Sequence, residues 1–257
     1  MSIDPRAAVS PAAQLAPDVE VGPFAVIGPD VVIGAGCRIG PHAVINGPTV
    51  IGEGNQIFQF ASIGDAPQDM KYRGEPTRLV IGARNVFREF VTVNRGTVAG
   101  AGETCIGNDN LILAYSHVAH DCVLGDHIIM SNAVNLAGHV EVGDWAIFSG
   151  YAGAHQFCRI GAHAFIANNT AVLQDIPPYV LAAGQPAEPR AVNVEGLKRR
   201  GFTDEQMRAI RNAFRVLYRS ELKLEDALTQ IDEMLREQPV LEILAQFLRQ
   251  SRRGLAR

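Results

Sequence analysis

The sequence of 257 residues has little of what secreted, membrane-spanning or zinc-ribbon proteins need. Its four cysteines lie far apart and form no C-x-x-C pair, so we interpret each as a small buried hydrophobe rather than a zinc ligand or half of a disulfide. No apolar run approaches the roughly 18 residues that a membrane span requires. The first residues also lack the charged and apolar regions of a secretory signal. We therefore expect no transmembrane segment and a cytoplasmic location.

Charge of either sign is also scarce, since only 19% of the residues are charged and the net charge is −4. Residues 1–187 hold 9 basic and 16 acidic side chains, whereas residues 188–257 hold 14 basic and 11 acidic ones. An excess of acidic groups predicts no nucleic-acid partner. The basic C-terminal part is the better surface for an acidic partner.

Apolar residues recur at every sixth position through most of the chain. One series of eleven runs from Ile3 to Ile63 without a miss and returns in the same phase at Ile81. A second series of twelve, one residue out of phase, runs from Ile106 to Val172. Only 47% of all residues are hydrophobic, so chance does not produce this periodicity and it must reflect the fold.

A period of six fits neither an α-helix nor a simple alternating strand, but it suits a coil with three flat sides of six residues each. It predicts a mainly β fold, a parallel β-helix of about nine or ten coils. Glycine often follows the apolar residue, which we interpret as freedom for the backbone angles of a corner. A small residue often stands four positions after the apolar one, as a crowded corner would require. A β-sandwich is the alternative, but its strands do not keep one phase over so many hexads.

The repeat also predicts the domain organisation. The prism should occupy residues 1–190, with loop insertions near 64–80 and 94–105 where the period fails. Loops that leave a solenoid often line its binding face. Residues 191–257 should form an α-helical C-terminal domain, which shows a capping box at Thr203 and apolar residues at three- and four-residue spacing.

Four of the histidines fall close together when residues one coil apart are stacked on one another. If three such sides complete one coil, His120, Gly138 and Gln156 lie directly above one another. Their sequence neighbours add four polar side chains: His117, Asp121, His139 and His155. Three interpretations follow from the residues alone: surface histidines, a zinc site, or an imidazole general base for acyl transfer.

Five segments resemble the UDP-N-acetylglucosamine O-acyltransferase family. They are QDMKYRGEPT (68–77), HVAHDC (117–122), NLAGHVEVGD (135–144), GAHQFCRIGAHAF (153–165) and NVEGLKRRGF (193–202). The resemblance implies a left-handed β-helix, a homotrimer with sites between subunits, and no cofactor or metal. It also implies an acyl transfer from acyl carrier protein to UDP-N-acetylglucosamine, the opening step of lipid A synthesis.

The resemblance further implies roles for single residues. His120 would be the general base on the sugar 3-hydroxyl, Asp121 would orient its imidazole, and the N–H of Gly138 would donate to the thioester oxyanion. The residues implied near the glucosamine and the phosphates are Asp69, Lys71, His139, His155 and Gln156, and we add His117 to this substrate-binding set. Those implied for the uridine diphosphate are Asn193, Glu195, Arg199 and Arg200. Without the resemblance, the last two would be interpreted as a basic surface flank.

The acyl chain needs an apolar trough. One facet offers a column of small and polar residues at the same place in successive coils: Ala114, Asn132, Gly150 and Asn168. In the resembling family the position of Asn168 sets the chain length and a glycine there leaves the groove open, so Asn168 should select a shorter chain. One departure concerns Asn94, since the family commonly has histidine before RGT.

Other functions remain open at this point. The chain could be another hexapeptide transferase that N-acylates a UDP-aminosugar or uses acetyl-CoA, although the segment 193–202 argues against this. It could also be a zinc enzyme similar to γ-carbonic anhydrases, or a non-enzymatic β-helix. Acyl carrier proteins are acidic, and four arginines of the first long predicted helix offer a surface for them: Arg208, Arg211, Arg215 and Arg219.

Overall fold

The structure is a computed structural model that describes residues 2–251 and 253–257. Within these residues, short strands follow one another around three sheets, so that each sheet receives every third strand. All pairings are parallel except the last, between β27 and β28. The fold is a left-handed parallel β-helix, as predicted.

The strands of the three sheets have the following bounds. Sheet A contains β1 (Ser2–Ile3), β4 (Glu20–Val21), β7 (Arg38–Ile39), β10 (Gln56–Ile57), β13 (Val86–Phe87), β16 (Leu111–Ile112), β19 (Ile129–Met130), β22 (Ile147–Phe148), β25 (Phe165–Ile166), β27 (Val180–Ala183) and β28 (Glu188–Val192). Sheet B contains β2 (Ala8–Val9), β5 (Val26–Ile27), β8 (Val44–Ile45), β11 (Ser62–Asp65), β14 (Thr92–Asn94), β17 (His117–Val118), β20 (Asn135–Leu136), β23 (Gly153–Ala154) and β26 (Ala171–Val172). Sheet C contains β3 (Gln14–Leu15), β6 (Val31–Ile33), β9 (Thr49–Ile51), β12 (Arg78–Ile81), β15 (Glu103–Ile106), β18 (Val123–Leu124), β21 (Glu141–Val142) and β24 (Arg159–Ile160).

The register confirms the predicted length of one lap. His117 pairs with Asn135, and Asn135 pairs with Gly153. The sixth-position residues point inward and form one continuous core, with Ile27 and Ile63 at most 1% exposed. We name the three corners of the prism by the sheets they join: the AB corner follows sheet A, the BC corner follows sheet B and the CA corner follows sheet C.

The structure corrects the reason for the corner glycines. The left-handed backbone angle falls on the third residue after the apolar one, as in Asp30 (φ 57°) and Asp121 (φ 59°), and not on the glycine directly after it, except at Gly64 (φ 78°), where the first insertion begins. The glycines are required by the stacking of coils, because a Cβ on Gly34 would lie 2.7 Å from the carbonyl carbon of Gly52 in the next coil. The small residue one position after the left-handed one, such as Ala43, is fully buried, as predicted for a crowded corner.

Two insertions leave the prism, the first between β11 and β12 and the second between β14 and β15. Gln56 pairs with Val86, which lies well beyond the end of one regular lap. Val86 in turn pairs with Leu111, again more than one regular lap further along the chain. Because both insertions lie one to two coils below His120, they can reach the BC corner where His120 lies.

The helices follow the last strand. They are α1 (Val194–Arg199), α2 (Asp204–Arg219), α3 (Leu224–Leu235), a 3₁₀ turn (Pro239–Leu241) and α4 (Glu242–Gln250). The capping box is present, since the Thr203 hydroxyl accepts from Gln206 N–H and the Gln206 side chain accepts from Thr203 N–H. The apolar faces of these helices form a second core with Tyr179 and Val192. No helix in the described ranges is long and apolar enough to cross a membrane.

Candidate active site

His120 and Asp121 form a hydrogen-bonded pair at the BC corner. The Nδ1 atom of His120 lies 2.8 Å from Oδ2 of Asp121, whose side chain is only 2% exposed. An ionised carboxylate can only accept, so Nδ1 carries the hydrogen and Nε2 keeps its lone pair. This arrangement leaves Nε2 as the basic atom of the pair.

Gly138 lies one coil above His120 and directly against its ring. A Cβ at Gly138 would lie 2.5 Å from Cε1 and 2.8 Å from Nε2 of His120, so only glycine leaves room for the imidazole. The flanking amides of the corner are used between coils, since His139 N–H donates to the His120 carbonyl at 3.0 Å. Within residues 2–251 and 253–257, the N–H of Gly138 has no acceptor. A free amide beside Nε2 can therefore donate to a developing oxyanion.

Two further histidines flank the pair. The rings of His139 and His120 meet edge to face, with centroids 5.2 Å apart, and Nε2 of His139 lies 3.7 Å from Asp121 Oδ2. Burial lowers the pKa of His139, although Asp121 opposes this, and burial together with His120 lowers the pKa of His117. His117 is held by the Thr92 hydroxyl at 2.7 Å. Both shifts favour the uncharged ring, which adds no positive charge beside the base.

A groove of about 650 Å³ crosses the outer face of sheet B from His120 and Gly138 to the AB corner. Its floor is formed mostly by small residues, which include Ala119, Ala137, Gly153 and Ala171. Sequence reasoning missed several of its other lining residues: Gln68, Tyr151, Thr170, Leu173 and Gln185. An apolar trough that begins at a base and an amide donor can hold an acyl chain with its carbonyl at the reactive end.

The first insertion brings Asp69 and Lys71 towards this groove. Asp69 Oδ1 accepts from the N–H of Lys71 at 2.9 Å, and the charge of Asp69 reaches the His139 ring, where it opposes the lowering of the pKa. The neighbouring Gln68 lines the groove itself. The loop therefore lies beside the reactive end, with the Lys71 side chain exposed.

His155 lines the groove, while Gln156 beside it is exposed at the same corner. Nδ1 of His155 lies 2.9 Å from Nη2 of Arg253, which reaches the site from the C-terminal segment. Phe157 N–H donates to the Gly138 carbonyl, which places Gln156 in the coil above Gly138, as predicted from the repeat. Arg253 carries no sequence pattern that indicated this contact.

The residues implied for the uridine diphosphate lie at another corner. Arg200 donates to the Trp145 carbonyl at 2.9 Å and covers the Trp145 ring, while Asn193 donates to the His163 carbonyl at 2.9 Å. Trp145 and His163 belong to the CA corner. Glu195 is paired with Lys198 at 3.6 Å, and Arg199 ends α1 nearby. A single chain therefore does not bring this set to His120, which lies at the BC corner.

Gly150 and Asn168 lie at the AB corner, at the far end of the groove. A Cβ at Gly150 would lie 3.2 Å from Asn168 Oδ1, so the amide side chain covers the space that this glycine leaves open. Neither residue is among those that line the groove, whereas their neighbours Tyr151 and Thr170 are.

His120, Asp121 and His139 also form the one group, among the described residues, of three potential metal ligands. One atom from each lies within 4.8 Å of the others. Both oxygens of Asp121 already accept hydrogen bonds, from Thr97 and from His120, so the carboxylate serves the imidazole. The donor set therefore fits a hydrogen-bonded base better than a zinc site with three imidazoles.

The His163 imidazole at the CA corner makes the stability of the protein depend on pH. Burial, reinforced by the Arg200 guanidinium, lowers the pKa of His163 from 6.5 to about 4. Between these values the unfolded chain binds more protons than the folded chain at this site, so the free energy of unfolding falls as the pH is lowered from 6.5 to 4.

We expect His163→Phe to flatten this dependence. The phenyl ring keeps the aromatic stack with Tyr179, which lies 5.7 Å from the His163 ring, but cannot titrate. Tm measured across the window should fall less steeply with acidification than in the wild type. The exposed His42, replaced in the same way, is the control. If Tm falls equally steeply with acidification in His163→Phe and in the wild type, His163 does not cause the pH dependence.

Two family models and many curated proteins match this chain. The model of the family described as UDP-N-acetylglucosamine O-acyltransferase, domain 2, matches residues 175–256, and the bacterial transferase hexapeptide model matches residues 12–47. An acyl-[acyl-carrier-protein]–UDP-N-acetylglucosamine O-acyltransferase of Pseudomonas entomophila is 54% identical over 256 residues, which cover 100% of this chain and 99% of that protein. A protein of the same name from Pseudomonas putida is 53% identical with the same coverage.

Solved structures show the same similarity. The UDP-N-acetylglucosamine acyltransferase of Francisella novicida superposes with a TM-score of 0.98 at 44% identity, over 99% of this chain and 94% of that chain. The UDP-N-acetylglucosamine acyltransferase of Arabidopsis superposes with a TM-score of 0.85 at 35% identity, over 99% and 100% of the two chains.

Proposed function

This chain belongs to the UDP-N-acetylglucosamine O-acyltransferase family, and on that premise we propose that it moves an acyl group from acyl carrier protein to the 3-hydroxyl of UDP-N-acetylglucosamine, the opening step of lipid A synthesis. The observation that carries the assignment of roles is the contact between His120 and Gly138. It sets a basic nitrogen and a free amide side by side at the reactive end of an apolar groove.

The proposed reaction uses these two groups in turn. Nε2 of His120 removes the proton of the sugar 3-hydroxyl while that oxygen attacks the thioester carbonyl carbon. The carbonyl oxygen becomes negative and accepts from the Gly138 N–H. Collapse of this intermediate breaks the carbon–sulfur bond, and the imidazolium gives its proton to the leaving thiolate, so the carrier protein departs as the free thiol. Asp121 holds the ring and stabilises its positive charge.

The test is turnover of UDP-N-acetylglucosamine with a panel of acyl carrier protein thioesters. The expected product is the 3-O-acyl sugar nucleotide, formed at the same rate after dialysis against a chelator. The panel includes acetyl-CoA as a second donor and a UDP sugar with a 3-amino group as a second acceptor. Activity only with acetyl-CoA, only with the amino sugar, or only with added zinc would overturn the proposal.

We also propose a homotrimer in which two subunits build one site. It is supported by the separation of the two groups in one chain, since His120 lies at the BC corner and Arg200 contacts Trp145 at the CA corner. A neighbouring copy can place its own Asn193, Arg199 and Arg200 opposite the first chain's His120, where the guanidinium groups would bind the diphosphate.

Complementation between variants checks this arrangement. His120→Ala and Arg200→Ala should each be nearly inactive alone. When the two are coexpressed, a site with both wild-type residues forms at about one in four interfaces of a randomly mixed closed oligomer, so about a quarter of the activity should return. Two His120→Ala chains carrying different tags are the control and should stay inactive. No recovery in mixed oligomers would contradict a shared site.

Asn168→Gly should shift the preference towards longer acyl chains. Removal of the side chain opens the corner beside Gly150 at the far end of the groove. Each additional buried methylene contributes about 0.8 kcal/mol, so kcat/KM for a chain longer by one methylene should rise about fourfold relative to the wild type. An acyl-length series measures this. Asn169→Gly is the matched control, since Asn169 has φ 55° and glycine accepts that angle. An unchanged preference would exclude Asn168 as the determinant.

Two further assignments belong to this proposal. We place the carrier protein on the exposed side of α2, where Arg208, Arg215 and Arg219 are solvent-exposed and Arg211 is half-buried. An acidic partner is attracted to such a surface. We place the reaction in the cytoplasm, which agrees with four cysteines that are all free thiols.

A further inference from the structure

The second insertion is built around the carboxylate of Asp121. Thr97 donates its N–H to Oδ1 at 2.9 Å and its hydroxyl to Oδ2 at 2.7 Å. Thr104 accepts from the backbone N–H of Asp121 at 2.8 Å. Both threonines are at most 4% exposed, and a Cβ on Gly100 would collide with the Asp121 carboxylate. One loop therefore contacts both oxygens and the backbone of the same acidic residue.

These contacts can decide which imidazole Asp121 binds, because two imidazoles lie close to its carboxylate. Its Oδ2 atom is 2.8 Å from Nδ1 of His120 and 3.7 Å from Nε2 of His139. Rotation of the carboxylate about its terminal bond would change which ring it serves, and such terminal torsions are broad. Thr97 holds both oxygens at once, so the plane of the carboxylate is fixed in the orientation that favours His120.

We propose that Thr97 is a positioning residue that keeps the Asp121 carboxylate hydrogen-bonded to His120 rather than to His139. By doing so it keeps the neutral imidazole in the tautomer with hydrogen on Nδ1 and the lone pair on Nε2, beside the free amide of Gly138. Thr97 acts through Asp121 and touches no reacting atom. The effect on turnover rests on the proposed function, because it requires His120 to be the base, whereas the tautomer itself does not.

The first measurement compares Thr97→Val with Thr97→Ser. Valine keeps the shape and the backbone N–H but loses the hydroxyl, and hydrogen bonds to charged groups contribute about 1.5–3 kcal/mol. We expect kcat to fall about tenfold to a hundredfold, with KM for the sugar nucleotide unchanged, and serine to restore most of the loss. Thr49→Val is the matched control, because Thr49 is 1% exposed and its hydroxyl donates only to the Asn46 carbonyl, in a coil below the site.

The second measurement reads the tautomer of His120 directly by ¹⁵N NMR of histidine-labelled protein without substrate, at a pH of about 8, where imidazoles are neutral. The His120 signals are assigned with His120→Gln. The wild type and Thr97→Ser should show hydrogen on Nδ1, whereas Thr97→Val should show a mixture of both tautomers. Gly100→Ala, which pushes the carboxylate from the other side, should show the same mixture and serves as the second variant if Thr97→Val does not fold.

These measurements test the positioning role of Thr97 separately from the role of His120 as the base. A pure Nδ1–H tautomer in both Thr97→Val and Gly100→Ala overturns the positioning role, whatever the change in kcat. A rise in KM for the sugar nucleotide with an unchanged kcat overturns it as well. If His120→Ala stays active while Thr97→Val still loses the tautomer, the positioning of the imidazole stands and the proposed role of His120 as the base fails.

Discussion

Replacing His120 with alanine should lower kcat for acyl transfer by about 10²–10⁴-fold, the range that a positioned general base contributes. The loss follows from the removal of Nε2, the basic atom that lies against Gly138 at the end of the groove. KM for UDP-N-acetylglucosamine should change little, because the phosphates are proposed to bind to arginines of another corner. Steady-state kinetics with saturating acyl carrier protein thioester measure both constants.

His42→Ala is the matched control for this variant. His42 is an exposed histidine at the AB corner, stacked between Phe24 and Phe60 with centroids 5.0 and 5.1 Å away. Its loss removes the same functional group from the same kind of corner without touching the groove, so kcat should stay at the wild-type value. A His120→Ala enzyme with nearly full kcat at saturating substrates would show that another group takes the sugar proton.

The number of residues in one coil of the prism could be predicted because the sixfold repeat is visible in the sequence. A core position every six residues and three sides per coil fix which residues stack, so the file of His120, Gly138 and Gln156 follows from counting alone. The contact between Gly138 and the His120 ring is a consequence of that count together with the missing side chain.

The corner glycines show where pattern reasoning failed. Glycine is common at the corners, and its usual meaning is a left-handed backbone angle. In this fold aspartate, histidine and aromatic residues take that angle instead, for example His42 at φ 58° and Phe60 at φ 62°. The glycine serves the close approach of two backbones, which depends on the distance between coils and leaves no signal in the chain itself.

The remainder of the site lies in segments without a period. Thr97 and Gln68 belong to the two insertions, and Arg253 follows the last helix. Their positions relative to His120 depend on how loops pack across coils, which no spacing encodes. The position of an insertion indicated where the binding face lies, but not which of its side chains reach the base.

Gly138→Ala should lower kcat about a hundredfold although the substituted residue keeps its backbone N–H. The new methyl group would lie 2.5 Å from Cε1 of His120, so the ring must move away from the reacting oxygen. A displacement of about 1 Å in a reacting group can cost about 10²-fold in rate. Gly28→Ala is the control, since a Cβ there has its nearest neighbour at 3.4 Å and disturbs only an early coil. Wild-type kcat in Gly138→Ala would contradict the position assigned to the base.

The double variant His120→Ala with Gly138→Ala separates displacement of the base from loss of the oxyanion donor. Without the imidazole, the added methyl group has no ring to push, and residue 138 keeps its backbone N–H, which has no acceptor among the described residues. If Gly138→Ala acts by moving His120, the double variant should be no slower than His120→Ala alone, because groups that act as one unit are not additive. If the losses of kcat in the two single variants multiply in the double variant, the methyl group damages the oxyanion site by itself. The glycine is then needed both for the position of His120 and for the oxyanion site.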